Sequence, residues 1–173
     1  MSMYPIASYT VGANTSNGIT FSNIPQTFTH LHIRIFGRSY NGTAGSNTAV
    51  QYNGDSGSNY SYHYFGGDGA AVFSGGAASQ TSANFGWVAG NNQTAGVFAI
   101  SLIDILDYTN TNKYKVSKAI VGIDNNGSGL AGQWSGLWLN TAAINQIFVN
   151  ANGWAQNSTI QIYGVTTSTI GTF

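Results

Sequence analysis

Apolar residues along this chain recur with a period of two, in short runs separated by turns rich in Asn and Gly. In LHIRIF, Leu31, Ile33 and Ile35 fall on one face and His32, Arg34 and Phe36 on the other, as in a strand with one buried side. NYSYHYFG (59–66) alternates in the same way and aligns Tyr60, Tyr62 and Tyr64. GVFAISLIDI (96–105) is apolar on both faces, the pattern of a central sandwich strand. ITF (19–21), KVSKAIVGI (115–123), GLWLN (136–140), INQIFVN (144–150) and STIQIYGV (158–165) complete the series. Pro25 ends a strand or begins a turn, and no helical period extends beyond about one turn near NTAAI (140–144).

Asn-Gly pairs tolerate the positive φ of tight hairpin turns, and they occur at Asn17-Gly18, Asn41-Gly42, Asn53-Gly54, Asn126-Gly127 and Asn152-Gly153. Two longer segments, Gly37 to Asn47 and Gly66 to Gly86, read as loops of functional length. The expectation is a single all-β domain over residues 1–173, an antiparallel β-sandwich wound like a jelly roll. The end segments MSMYP and TTSTIGTF are expected to extend from it along a neighbour.

Composition supports a folded β domain. Apolar residues make up 42% of the chain, but charged ones only 6%, against about 25% in ordinary globular domains. All five acidic residues are Asp, and the absence of Glu argues against long helices. Net charge is zero, so the basic face that nucleic-acid binding requires is missing. Lys113, Lys115 and Lys118 read as a solvated strand edge. There is no cysteine, no signal-peptide pattern at the start, and no apolar run near the ~20 residues of a membrane helix.

Candidate chemistry is sparse. His30 and His32 share a strand face and could ligate a metal if symmetry supplied further ligands; the simpler reading is a polar face or subunit contact. No GxSxG elbow is present, and Asp104 and Asp107 are the only close carboxylate pair, so a non-enzymatic chain without a cofactor is expected. NGDSGSNY (53–60) offers Asp55, Ser58 and Asn59 as oxygen ligands but lacks the acidic spacing of a calcium loop, and reads as a turn held by its own side chains. The Tyr60, Tyr62 and Tyr64 row, and Trp134 with Trp138 on another face, suit core first, a protein interface second and sugar stacking third.

In sequence order, FSNIPQTFTHLHIRI, QYNGDSGSNYSYHYFGGDG, IDILDYTNTNKYK and GLWLNTAAINQIFV…STIQIYGV resemble a group of structural proteins of tailed bacteriophages. Variants of SIPQTYT, FNGDSGSNY, IPNYTSTNK and STAAITSI recur in that group. The resemblance runs from about Tyr9 to Val165 and departs from the pattern at LDYTNTNK, which lacks the proline. It implies a virion component: a capsid decoration (cement) protein, trimeric, whose partners are the major capsid protein and its own copies. The rival it leaves open is a tail-associated domain that binds a receptor or glycan. It supplies no catalytic residues; Pro25, Asn53, Gly54, Asp55, Asn59, Tyr60 and Tyr108 match as turn and packing positions. The contact surfaces expected are Arg38 and Tyr40 in the first loop, Phe73 in the second, the tyrosines 60, 62 and 64, and Met3, Tyr4 and Phe173 at the ends.

Overall fold

The computed structural model describes residues 2–41 and 44–167, which hold twelve strands and no helix. They are β1 (Ser2–Thr10), β2 (Ile19–Phe21), β3 (His30–Gly37), β4 (Gly45–Tyr52), β5 (Tyr60–Gly67), β6 (Val72–Gln80), β7 (Ala83–Ala89), β8 (Ala99–Ile105), β9 (Lys115–Asp124), β10 (Gly129–Trp138), β11 (Ile147–Asn150) and β12 (Thr159–Thr166). They form an antiparallel β-sandwich. One sheet has eight strands in the order β1-β12-β3-β8-β9-β10-β5-β6, and the other has four in the order β2-β11-β4-β7. The chain changes sheet at most connections, in jelly-roll-like fashion; only β5–β6 and β8–β9–β10 run as consecutive neighbours within a sheet.

The period-two pattern sets the register. Leu31, Ile33 and Ile35 of β3 point between the sheets and pair laterally with Ile105, Ile103 and Ser101 of β8, while Ile162 and Ile160 of β12 face Ile33 and Ile35. Phe85 and Val88 of β7, Val50 and Tyr52 of β4 and Ile147 and Val149 of β11 close this core from the smaller sheet. Asn53-Gly54 and Asn152-Gly153 do take positive φ, but they carry the chain between sheets (from β4 to β5 and from β11 to β12). Asn126-Gly127 alone of the described pairs makes a hairpin, β9–β10, closed by the Asn125 N–H donating to the Ser128 carbonyl at 2.6 Å. Asn17-Gly18 lacks positive φ, and Gly42 lies outside the described residues.

Several expectations are corrected. The segment Gly66 to Gly86 is not a loop: β6 and the start of β7 occupy it. Its Gly, Ala and Ser look unstructured because they are matched to what lies across from them. A Cβ at Gly75 would meet the Tyr64 hydroxyl oxygen at 2.6 Å, and one at Gly76 would meet the His63 ring at 2.5 Å. The N-terminal segment is not a free arm either, since β1 pairs along β12 as an edge strand with Pro5 at a bulge. Lys115 is no edge lysine. It is 1% exposed, points into the sandwich, and donates to the carbonyls of Asn110, Lys113 and Thr141. Burial lowers its pKa. Trp134 and Trp138 share the inner face with the tyrosine row, paired directly across from Tyr64 and Tyr60.

Candidate functional site

The inner aromatics are structural. Trp138 stacks on Tyr60 at 6.3 Å and meets Tyr52 at 5.5 Å; Trp134 stacks on Tyr64 at 5.7 Å. Asp55 anchors this cluster from the NGDSGSNY turn, accepting the Trp138 indole N–H at 2.8 Å, the Asn59 amide at 2.9 Å and the Gly57 N–H at 2.9 Å. The indole bond, then the Asn59 bond, holds its carboxyl below the ordinary carboxylate value. Both Asp55 carboxylate oxygens are thereby spent on the fold.

The outer face of the large sheet is different. Alternation there places Phe36, Ile100, Leu102, Ile120 and Phe65 outward on β3, β8, β9 and β5, and no second layer among the described residues covers them. Phe36 lies beside Ile100 and stacks on Phe98 at 5.0 Å; Leu102 lies beside Ile120; Gln133 separates Ile120 from Phe65. Ile120 is 56% exposed and Phe65 60%. Together with Val116 these side chains expose roughly 500 Å², at the upper end for the largest apolar patch on a monomer, a size often associated with function. Arg34 stands on the same face beside Leu102, its guanidinium 5.1 Å from the centre of the Tyr163 ring, and one polar rung crosses the patch. His32 Nδ1 lies 2.6 Å from Asp104 Oδ1, so that nitrogen carries the proton, and Lys118 Nζ lies 3.7 Å from Asp104 Oδ2.

A cleft of about 610 Å³ opens at one end of the sandwich, where the β9–β10 and β5–β6 hairpins overhang β7. Its apolar floor includes Val88, Ile123 and Leu130, and Phe73 and the 48%-exposed Trp87 stand at its sides. The Trp87 side chain reaches it through a β-bulge. Gly86 has φ +86°, the β4–β7 register slips between Asn47 and Ala49, and Phe85 and Val88 both stay buried while Trp87 turns out.

The residues expected at contacts scatter. Arg38 is only 9% exposed; its guanidinium donates to the carbonyls of Thr94, Val97, Asn91 and Gln93 and shapes the 91–97 loop. Tyr60 is fully buried, with its hydroxyl accepting the Tyr52 N–H and donating to the Asp55 carbonyl. Neither side chain is free to make an outside contact, because each satisfies buried backbone groups. Tyr62 and Tyr64 are half-buried and stacked on each other at 6.4 Å. Tyr40, Met3 and Tyr4 are exposed, Tyr4 stacking on Phe28, and Phe73 lines the cleft. Phe173 lies outside the described residues. His30 Nδ1 accepts the Asp107 N–H at 2.9 Å, so it and His32 are engaged with separate aspartates. Among the described residues no group of three or more His, Cys, Asp or Glu side chains is placed to hold a metal.

Sequence reading missed the outer apolar face and Trp87. The signal for the first was present in GVFAISLIDI, whose two apolar faces were assigned to burial on both sides. Trp87 depends on a one-residue bulge that alternation cannot show.

These features define an all-β sandwich that presents one uncovered apolar sheet face and one mixed cleft. Comparison with protein-family models, with curated protein sequences and with solved structures gives no match.

Proposed function

We propose that this chain is a structural virion protein, a capsid decoration protein of a tailed bacteriophage, which docks on the assembled shell through the outer face of its large sheet. The observation that carries the reading is that face: a patch of roughly 500 Å², crossed by one charged rung and flanked by Arg34, on a chain with 6% charged residues. A standard interface takes ~800 Å² from each partner, so the patch would form the apolar centre of one and polar residues its rim. The resemblance of the motifs from Tyr9 to Val165 supplies the shell context, the major capsid protein as partner, and association with copies of itself. The mechanism is mass action. A protein that binds the assembled shell and not free subunits stabilises the assembled state. The Asn-Gly turns and edge strands then serve to present a rigid face, and no catalytic group is required.

The copy number of the chain relative to the major capsid protein in purified virions tests this. A ratio near one, or a simple symmetry-related fraction of it, is expected, together with greater heat resistance of decorated shells. A handful of copies per particle would overturn the reading and move the chain to the tail or a vertex.

A further inference from the structure

The cleft at the hairpin end is separate from the apolar face and has a chemistry of its own. Its 610 Å³ falls within the range of small-ligand sites, and it combines an aromatic side wall with fixed polar groups. Trp87 is the exposed indole of the chain; Trp134, Trp138 and Trp154 are all buried. Phe73 and Leu130 extend the apolar surface beside it.

The polar groups are held in place from within the fold. Asn125 accepts the Thr94 N–H on Oδ1 at 3.1 Å and donates from Nδ2 to Gln93 Oε1. Gln93 in turn donates from Nε2 to the Ala44 carbonyl at 2.6 Å. Each amide nitrogen carries two hydrogens and uses one of them internally, leaving a positioned donor. Asp68 accepts the Ala70 and Ala71 N–H groups on Oδ1 at 2.9 and 2.7 Å, while its Oδ2 has no partner among the described residues. Those backbone bonds, the Ala71 one foremost, hold its carboxyl below the ordinary value, so it is an acceptor at neutral pH.

We infer that this cleft binds a neutral saccharide, with Trp87 stacked on the apolar face of a sugar ring and Asn125, Gln93 and Asp68 hydrogen-bonded to its hydroxyls. The lining argues against two other classes. No cationic side chain lines the cleft and one carboxylate does, which disfavours phosphates and acidic sugars. A purely apolar ligand would leave three fixed polar groups without partners. A ring with C–H faces and equatorial hydroxyls satisfies both the indole and the amides. Arg38 contributes at a distance, because its four carbonyl bonds fix the 91–97 loop that carries Gln93.

The test is titration of the full chain with a panel of neutral oligosaccharides built from glucose, galactose, mannose and N-acetylhexosamines. Tryptophan fluorescence and the indole N–H resonances are read together. Because the other three indoles are buried, a saturable change confined to the Trp87 resonance is expected with at least one member. Trp87→Ala should weaken that binding at least about tenfold, as truncation of a central aromatic anchor does. Asp68→Ala, which leaves the indole in place, should weaken it by about three- to tenfold through loss of one hydrogen-bond acceptor. Retained near-native far-UV spectra keep both results interpretable, and Trp87→Phe serves as the conservative control that preserves part of the platform. The inference is overturned if no member of the panel moves the Trp87 signal, if affinity is unchanged in Trp87→Ala, or if only anionic saccharides bind. None of these results bears on virion copy number, so this site and the shell role fail independently.

Discussion

At the level of single residues, stability concentrates where polar atoms are enclosed. Asp55 is the clearest case, because one half-buried carboxylate accepts both the indole N–H of the buried Trp138 and the side-chain amide of the half-buried Asn59. Asp55→Ala is expected to cost about 1–2 kcal/mol in denaturant unfolding, since it removes a charged acceptor and strands the buried Trp138 indole N–H, while the half-exposed Asn59 amide can turn to water. The folded carboxyl titrates below its unfolded value of 3.8, so its contribution is present above that pH and is lost as pH falls through the folded value. Wild type should therefore lose stability more steeply on acidification than Asp55→Ala. The tyrosines set the opposite limit. Burial raises Tyr60 to about 12 and also raises Tyr52, while unfolded tyrosines ionise near 10.0. Between these values the unfolded chain releases protons that the folded chain keeps, so stability falls by about 1.4 kcal/mol per pH unit for each tyrosine. Urea midpoints measured on either side of pH 10 check the sign; a midpoint that rises there would contradict it.

At the level of elements, the period-two signal located most strands, since alternation is a direct consequence of one buried face. It failed where a strand is defined by its neighbour. β6 is built from Gly, Ala and Ser because Tyr64 and His63 lie over it, and such residues carry no alternation of their own. Charged inward residues misled for a related reason. Arg38 and Lys115 face inside because loop carbonyls need donors there, and those loops are distant in sequence: residues 91–97 for one, Thr141 among others for the other. The candidate sites were less legible than the fold. An apolar outer face looks the same as a buried one until the layers are counted, and Trp87 points outward only because of the Gly86 bulge. That bulge is testable. Gly86 has φ +86°, and a Cβ there would sit 2.4 Å from a Val121 methyl carbon in the core. Gly86→Ala should cost roughly 2–4 kcal/mol from backbone strain and overpacking together, and should alter the emission of Trp87. Denaturation followed by fluorescence reports both effects; a neutral substitution would mean that the bulge is not what turns Trp87 outward.

At the level of the whole molecule, the two faces of the large sheet divide the work. The inner face carries the stability, through the Ile–Leu rungs of β3, β8 and β12 and the Tyr–Trp pairs of β5 and β10. The outer face packs on nothing in the described chain, so its apolar residues contribute little to folding and their presence there needs another cause. This separation makes a sharp prediction. Leu102→Glu with Ile120→Glu places two charges side by side on the outer face, next to Asp104, without touching the core. Because both positions are surface-exposed, and Arg34 beside position 102 and Lys118 beside position 120 offset part of the like-charge repulsion, the double variant should fold with a loss of at most about 1–2 kcal/mol. Binding of an apolar fluorescent dye to the free protein should drop sharply, and attachment to shells should be abolished. Attachment of the wild-type protein should in turn change only modestly with salt, because the charges on the face are few, the His32–Asp104–Lys118 rung and Arg34 beside Leu102, and screening weakens only those. Sedimentation of shells with each form, at low and high ionic strength, measures both effects. If the double variant still co-sedimented with shells, the docking surface would have to be sought elsewhere, and the exposed edge strand β1 with Met3 and Tyr4 would be the next place to substitute.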